Sequence, residues 1–173
     1  MIHPGPYEDH AALEIFKRLD VSDYREACLA RGAQASHLEL FADWRQAQAA
    51  GALSLILRND AGTPFAVLAV VPTARGVAQG AFLARSHAAY RWPIARAALQ
   101  ISRKIAEWAR GAGLHRIEAR CWADHPSAPR FLGAAGFHLE AQVPGYGPDG
   151  NACFLQFAWV RKGGTEHVQR TES

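Results

Sequence analysis

His125-Pro-Ser-Ala-Pro-Arg-Phe-Leu-Gly-Ala-Ala-Gly-Phe137 is the stretch on which the fold turns. Phe131 and Leu132 follow Ala128 by three and four residues, so a helix carries all three on one face. Gly136 can adopt the left-handed conformation that ends such a helix, and Phe137 then opens a strand. The segment reads as a short helix over Ser127 to Ala135 running into a strand over Phe137 to Val143. By itself this junction is also what plain packing produces, so its neighbours decide the reading. Upstream, His115 to Trp122 reads as a strand. Before it a long helix spans about Trp92 to Arg110, with Ile94, Ala98, Ile101, Ile105 and Trp108 spaced four, three, four and three residues apart. Pro93 is tolerable in its first turn, and Gly111 and Gly113 stop it. Downstream, Asn151 to Val160 closes the pattern as a last strand.

Further from the centre, Leu53 to Arg58, Phe65 to Val71 and Val77 to Arg85 read as a meander joined by the turns Asn59-Asp60-Ala61-Gly62 and Pro72 to Gly76. The first fifty residues read as helical. Ala12, Leu13, Phe16 and Leu19 share one face, a second helix follows Ser22 and stops at Gly32, and a third starts at the capping pair Ser36 and Glu39 and stops at Gly51. A meander followed by strand–helix alternation gives a mixed sheet with helices on its faces. Val77 to Arg85 and His115 to Trp122 should be parallel neighbours, linked by a right-handed crossover through the long helix. Residues 1–161 are expected to form one domain. Lys162 to Ser173 lack apolar periodicity and are expected to be a disordered tail.

Composition narrows the function. Of 173 residues, 49% are hydrophobic and 20% charged, which is the balance of a folding globular chain. The longest apolar runs fall well short of the roughly 20 residues that span a bilayer, so no membrane role is expected. Cys28, Cys121 and Cys153 are odd in number and without metal-type spacing, consistent with reduced structural thiols in a cytoplasmic protein. The net charge of +3 comes from scattered basic residues rather than a dense run, which argues against a nucleic-acid-binding arm.

With these elements in order, residues 125–137 resemble the Asn-x-x-Ala-x-x-Leu-Tyr-x-x-x-Gly-Phe ending of the GNAT superfamily of N-acyltransferases, and the resemblance covers roughly Gly51 to Arg161. It implies a GNAT-like α/β (α+β) fold: a mixed, mostly antiparallel sheet of six to seven strands flanked by helices, with a splayed central parallel pair. It also implies transfer of an acetyl or similar acyl group from acetyl-CoA or another acyl-CoA to a primary amine of a small molecule or peptide, with no metal; a homodimer is compatible with it. Asp9, Ala12 to Ile15, Asp23 and Glu26 are similar to divergent phage and prophage members. The alternative is a GNAT-like binding or phage structural protein that has lost its chemistry.

The resemblance places the acyl-CoA site at the junction of strand and long helix, with Leu83, Ala84, Arg85, His87, Arg91, Arg96, Ala98, His125 and Phe131 as its cofactor-binding residues. The family fingerprint Gln/Arg-x-x-Gly-x-Gly/Ala falls on Pro93 to Ala98, where only Ala98 fits. Arg96 stands where glycine normally lets the backbone approach a pyrophosphate, and it either substitutes a charged contact or obstructs the pocket. His125 takes the place of the family's asparagine and reads either as a helix cap or as a catalytic group beside the thioester. Leu132 replaces the tyrosine that protonates the leaving thiolate. Tyr146, in the apparent loop Pro144 to Gly150, is the substitute acid or a packing residue. Glu118 is the candidate general base, or else the ion-pair partner of Arg116 and Arg120.

Overall fold

The Asn59 side chain builds the first hairpin. Its Oδ1 accepts the N–H groups of Ala61 (3.1 Å) and Thr63 (2.9 Å), and Gly62 turns left-handed at φ 74°. The strands so joined belong to a computed structural model that describes residues 1–161; the tail expected at 162–173 lies outside the described residues. In chain order the elements are β1 (His3–Pro6), α1 (Asp9–Phe16), α2 (Val21–Arg31), α3 (His37–Ala49), β2 (Leu53–Arg58), β3 (Pro64–Ala74), β4 (Val77–Ala84), α4 (His87–Gly111), β5 (Arg116–Trp122), α5 (Ala128–Ala134), β6 (His138–Tyr146) and β7 (Ala152–Val160).

The seven strands form one sheet in the order β1-β2-β3-β4-β5-β7-β6. Every pairing is antiparallel except β4 with β5, which are parallel because α4 carries the chain back between them. Side chains alternate across the sheet, and each face collects its own helices. Ile56 and Val67 pack with Ile15, Phe16, Cys28 and Leu40 of α1 to α3. On the opposite face Ile117, Cys121 and Phe157 pack with Ile105 and Ala109 of α4 and Leu132 of α5. Ile15, Phe16, Ile56, Val67 and Ile117 are almost wholly removed from water. At roughly 1.5–3 kcal/mol each, such residues anchor the two layers.

Three expectations are corrected. The first fifty residues are not wholly helical, because β1 pairs with β2 at the sheet edge. Pro4 and Pro6 hid it: they lack N–H donors, which an edge strand tolerates. The long helix begins at His87 rather than near Trp92, with a non-helical break at Tyr90 (φ −107°, ψ 19°) ahead of Pro93. The Pro144 to Gly150 segment is not all loop, since β6 runs on to Tyr146, which pairs with Ala152 after an irregularity between Val143 and Tyr146.

Candidate functional site

The β4–β5 ladder holds only from Val77 to Gly80 against Arg116 to Ala119; beyond it the two strands splay apart. Splaying leaves backbone groups without strand partners, and such groups are costly to bury unpaired. Arg85 N–H donates to Phe65 on β3, so by alternation Ala84 and Phe82 turn their backbone polar groups toward the gap. Helix α2 lies across that gap and its acids meet the orphaned amides. Asp23 Oδ2 accepts the Ala84 N–H at 2.6 Å, and Glu26 Oε2 accepts the Trp122 N–H at 2.8 Å. The Asp20 N–H donates to the Ala84 carbonyl at 2.9 Å.

Around Asp23 the charges converge. Its Oδ1 takes His125 Nε2 at 3.0 Å and His87 Nε2 at 2.8 Å, and the two imidazole centroids lie 5.6 Å apart. Asp23 and His125 are each only 5% exposed. His125 Nδ1 accepts the N–H groups of Ser127 (3.3 Å) and Ala128 (2.9 Å), so in this arrangement its proton sits on Nε2, facing Asp23. These three side chains bring one ligand-type atom each within 4.8 Å, and the His125 tautomer makes the group a hydrogen-bonded cluster. Asp20 joins from the side: its Oδ1 caps α2 through Ser22 N–H, its Oδ2 accepts the His87 backbone N–H at 2.8 Å, and Oδ1 lies 4.0 Å from His87 Nδ1.

These contacts set the protonation states. Burial pushes Asp23 up, but hydrogen bonds from His125, His87 and the Ala84 amide outweigh it and hold the carboxyl below its ordinary range. Burial likewise opposes the charged form of His87, yet the Asp23 bond and the charges of Asp23, Asp20 and Glu26 raise its pKa. Glu26 goes the other way: burial dominates and pushes it from 4.5 to about 7, with the Trp122 N–H and His125 only partly offsetting that effect. A carboxyl that titrates near neutrality, at the foot of a cleft, is a suitable proton acceptor.

The cleft is a cavity of about 570 Å³ that passes through the splay. Phe82, Ile94, Ile101, Phe131 and Phe154 give it apolar walls, while Asp23, Glu26, His87, His125, Ser127, Arg120 and Tyr146 contribute the polar groups. Phe131 packs against Phe82 with ring centroids 4.4 Å apart.

The residues singled out from sequence scatter with respect to this cavity. Leu83, His87, His125, Phe131 and Tyr146 line it. Ala84 stands at its edge through its amide, and Ala98 is buried in the core behind the wall. Arg85 is held by the Pro64 carbonyl at 2.9 Å and by the Tyr90 ring. Arg91 and Arg96 are exposed along the start of α4. Glu118 lies outside the lining and accepts Arg116 Nε at 2.7 Å, while Arg116 also pairs with Glu140. Arg120 does not join that pair; it donates to Gln156 and, at 2.7 Å, to the Tyr146 hydroxyl. Sequence reasoning assigned no site role to Asp20, Asp23, Glu26 or Ser127. The signal was present in the three-residue spacing of Asp20, Asp23 and Glu26, which lines one face of α2 with acids.

No family model matches the sequence, and no curated protein matches it. The architecture, in contrast, has many solved counterparts. A GNAT-superfamily phosphinothricin acetyltransferase from Sinorhizobium meliloti, solved with acetyl-CoA, superposes with a TM-score of 0.68 at 14% identity, over 98% of this chain and 96% of its own. The Escherichia coli ribosomal-protein-S18-alanine N-acetyltransferase gives 0.66 at 16% identity, over 97% and 99%. An N-acetyltransferase from Staphylococcus aureus gives 0.69 at 11%, over 94% and 99%. The chain therefore has the GNAT fold, and at such identities the likeness carries the fold alone and leaves the chemistry to the residues of the cleft.

Proposed function

We propose that this chain is an acyl-CoA-dependent N-acyltransferase that moves an acetyl or similar acyl group to a primary amine. The observation that carries this reading is the splayed β4–β5 pair, which opens an apolar cleft onto a carboxyl titrating near neutrality. A thioester entering the gap meets the free strand edge at Phe82, whose N–H is a preorganised donor for a carbonyl oxygen. Phe131 and Phe82 wall the apolar part of the cleft. Arg91 and Arg96, on the solvent side of α4, supply positive charge for the phosphates of CoA. A primary amine reaches neutral solution chiefly as ammonium and must lose a proton before it can attack. Glu26 is placed to accept it, since about half of its carboxyl is ionised near pH 7. Holding the amine against the acyl carbonyl supplies much of the acceleration in such a reaction.

Calorimetric titration with acetyl-CoA, followed by a mass-spectrometric screen of primary amines, tests the reading. Binding together with an acetylated amine is the expected result. Absence of binding at millimolar acetyl-CoA would favour a scaffold that has lost its chemistry, a reading motivated by Leu132 in the tyrosine position and Arg96 in a glycine position.

A further inference from the structure

Ser127 occupies the N-cap of α5, where a serine hydroxyl ordinarily accepts an amide of the first turn, yet it makes no such bond. His125 Nδ1 takes the Ala128 N–H, Pro129 at the second position has no N–H to offer, and the Ser127 hydroxyl is left without a capping bond. That hydroxyl lies 3.0 Å from His87 Nδ1, and His87 Nε2 lies 2.8 Å from Asp23 Oδ1. The proton positions follow from the acceptors. Asp23 offers only lone pairs, so a neutral His87 donates from Nε2 and keeps its own lone pair on Nδ1, toward the Ser127 O–H. Hydroxyl, imidazole and buried carboxylate thus stand in series within hydrogen-bond reach, the relation that activates a serine nucleophile. The imidazole is used in the reverse sense from the usual serine-hydrolase order, but either ring nitrogen can act as the base. Ser127 and His87 both line the cavity.

We propose that Ser127 is an acyl-accepting nucleophile, carrying the acyl group as an ester between acyl-CoA and the amine. The proposal rests on the acyl-CoA reading of the same cleft. In the first half, Ser127 Oγ attacks the thioester carbonyl carbon and its proton passes to His87 Nδ1. The C–S bond breaks, the departing thiolate takes that proton from His87, and CoA leaves as the thiol. In the second half, the neutral amine attacks the ester carbonyl and the C–O bond breaks. The proton shed by the nitrogen returns through His87 to the Ser127 oxygen, which restores the starting state. Asp23 and Asp20 flank the imidazolium while the proton is in transit. The same relay supplies the proton that Leu132 cannot give.

The test uses the full chain with acetyl-CoA and no amine, quenched in acid, with intact-mass and peptide analysis alongside assay of released CoA. The expected result is one acetyl group per chain on the peptide bearing Ser127, or, where the ester hydrolyses too fast to trap, steady CoA release. Ser127→Ala should abolish both while still binding acetyl-CoA and unfolding cooperatively, with only the small drop in Tm expected from losing the hydroxyl's bond to His87. His87→Gln should slow acylation about 10²–10⁴-fold. Ser127→Cys should give a thioester at the same position. Wild-type protein that binds acetyl-CoA yet neither labels nor hydrolyses it overturns the serine but leaves direct transfer to the amine intact, as does a Ser127→Ala variant that acetylates amines at the wild-type rate. Failure of the wild type to bind acetyl-CoA overturns the function and the serine together.

Discussion

Replacing Glu26 by glutamine should stabilise the protein, and increasingly so as the pH rises. The glutamine carbonyl can still accept the Trp122 N–H that Glu26 Oε2 accepts at 2.8 Å, so the amide at the splay keeps its partner. What disappears is the cost of ionising a buried carboxyl. Glu26 titrates at about 7 in the fold against 4.5 ordinarily. Because the folded pKa is the higher one, the folded state holds the proton longer than the unfolded state. Glu26 therefore imposes no penalty below the unfolded pKa, and stability declines as pH rises from there to the folded pKa, after which the loss levels off. At 1.36 kcal/mol per unit, the full loss is about 3 kcal/mol, of which about 2.5 falls between about pH 5 and pH 8. The raised pKa of His87 adds its own pH dependence, but it is present in both proteins and largely cancels in their difference. Equilibrium urea unfolding of wild type and Glu26→Gln at the two pH values measures the gap directly. A gap that stays constant with pH would refute a buried, neutral-titrating carboxyl at this position.

Other expectations follow from individual contacts. Glu26→Gln should lower amine turnover about 10²–10⁴-fold, and wild-type kcat/KM should rise with pH through about 7 as the base ionises; a flat profile removes Glu26 from that role. Arg96→Ala should weaken acetyl-CoA binding by about 1 kcal/mol, the scale of an exposed charge contact, with calorimetry as the check; tighter binding would mean that Arg96 obstructs the site. Tyr146→Phe keeps the ring against Phe154 but loses the hydroxyl held by Arg120. If that hydroxyl is an acid in the reaction, kcat falls while acetyl-CoA affinity is unchanged, and an unaltered kcat excludes it. Gly76→Ala should cost about 1–3 kcal/mol in thermal or urea unfolding, because φ is +75° there and a Cβ would collide with the His115 ring.

How far the sequence could be read depended on whether the signal was local. The Asn59 to Gly62 turn, the apolar run at Phe65 to Val71 and the Ile94 to Trp108 spacing announce their elements because turn chemistry and burial period act within a few residues. The parallel pairing of β4 with β5 follows from the crossover between them, whereas their splay was implied by the family resemblance and not by any local signal. Misreadings arose where a local signal had a nonlocal answer. Pro144 and Gly145 look like a loop, but β6 absorbs them in an irregular stretch beside β7 and delivers Tyr146 to the cavity. His125 could be read from its place before α5 as a cap or as a catalytic group, and its Nδ1 accepts the Ser127 and Ala128 amides while Nε2 faces Asp23 on a distant helix. Glu118 left two readings open, base or ion-pair partner, and Arg116 pairs with it.

The acids of α2 link architecture to chemistry in a way that none of these residues shows alone. Parallel strands forced apart expose the amides of Ala84 and Trp122, and an apolar helix laid over them would leave both donors unpaired at roughly 1–3 kcal/mol each. Asp23 and Glu26 meet that need, but each carboxyl then sits largely out of water and must either find several hydrogen-bond donors or keep its proton. Asp23 finds them in His87 and His125 and stays ionised; Glu26, with one backbone donor, rises to about 7. Two acids three residues apart on one helix are thereby driven to different protonation states by the strand ends they meet. One orients an imidazole, and the other can exchange a proton at neutral pH. In this fold, the splay that opens a cleft also generates the proton-transfer groups at its foot.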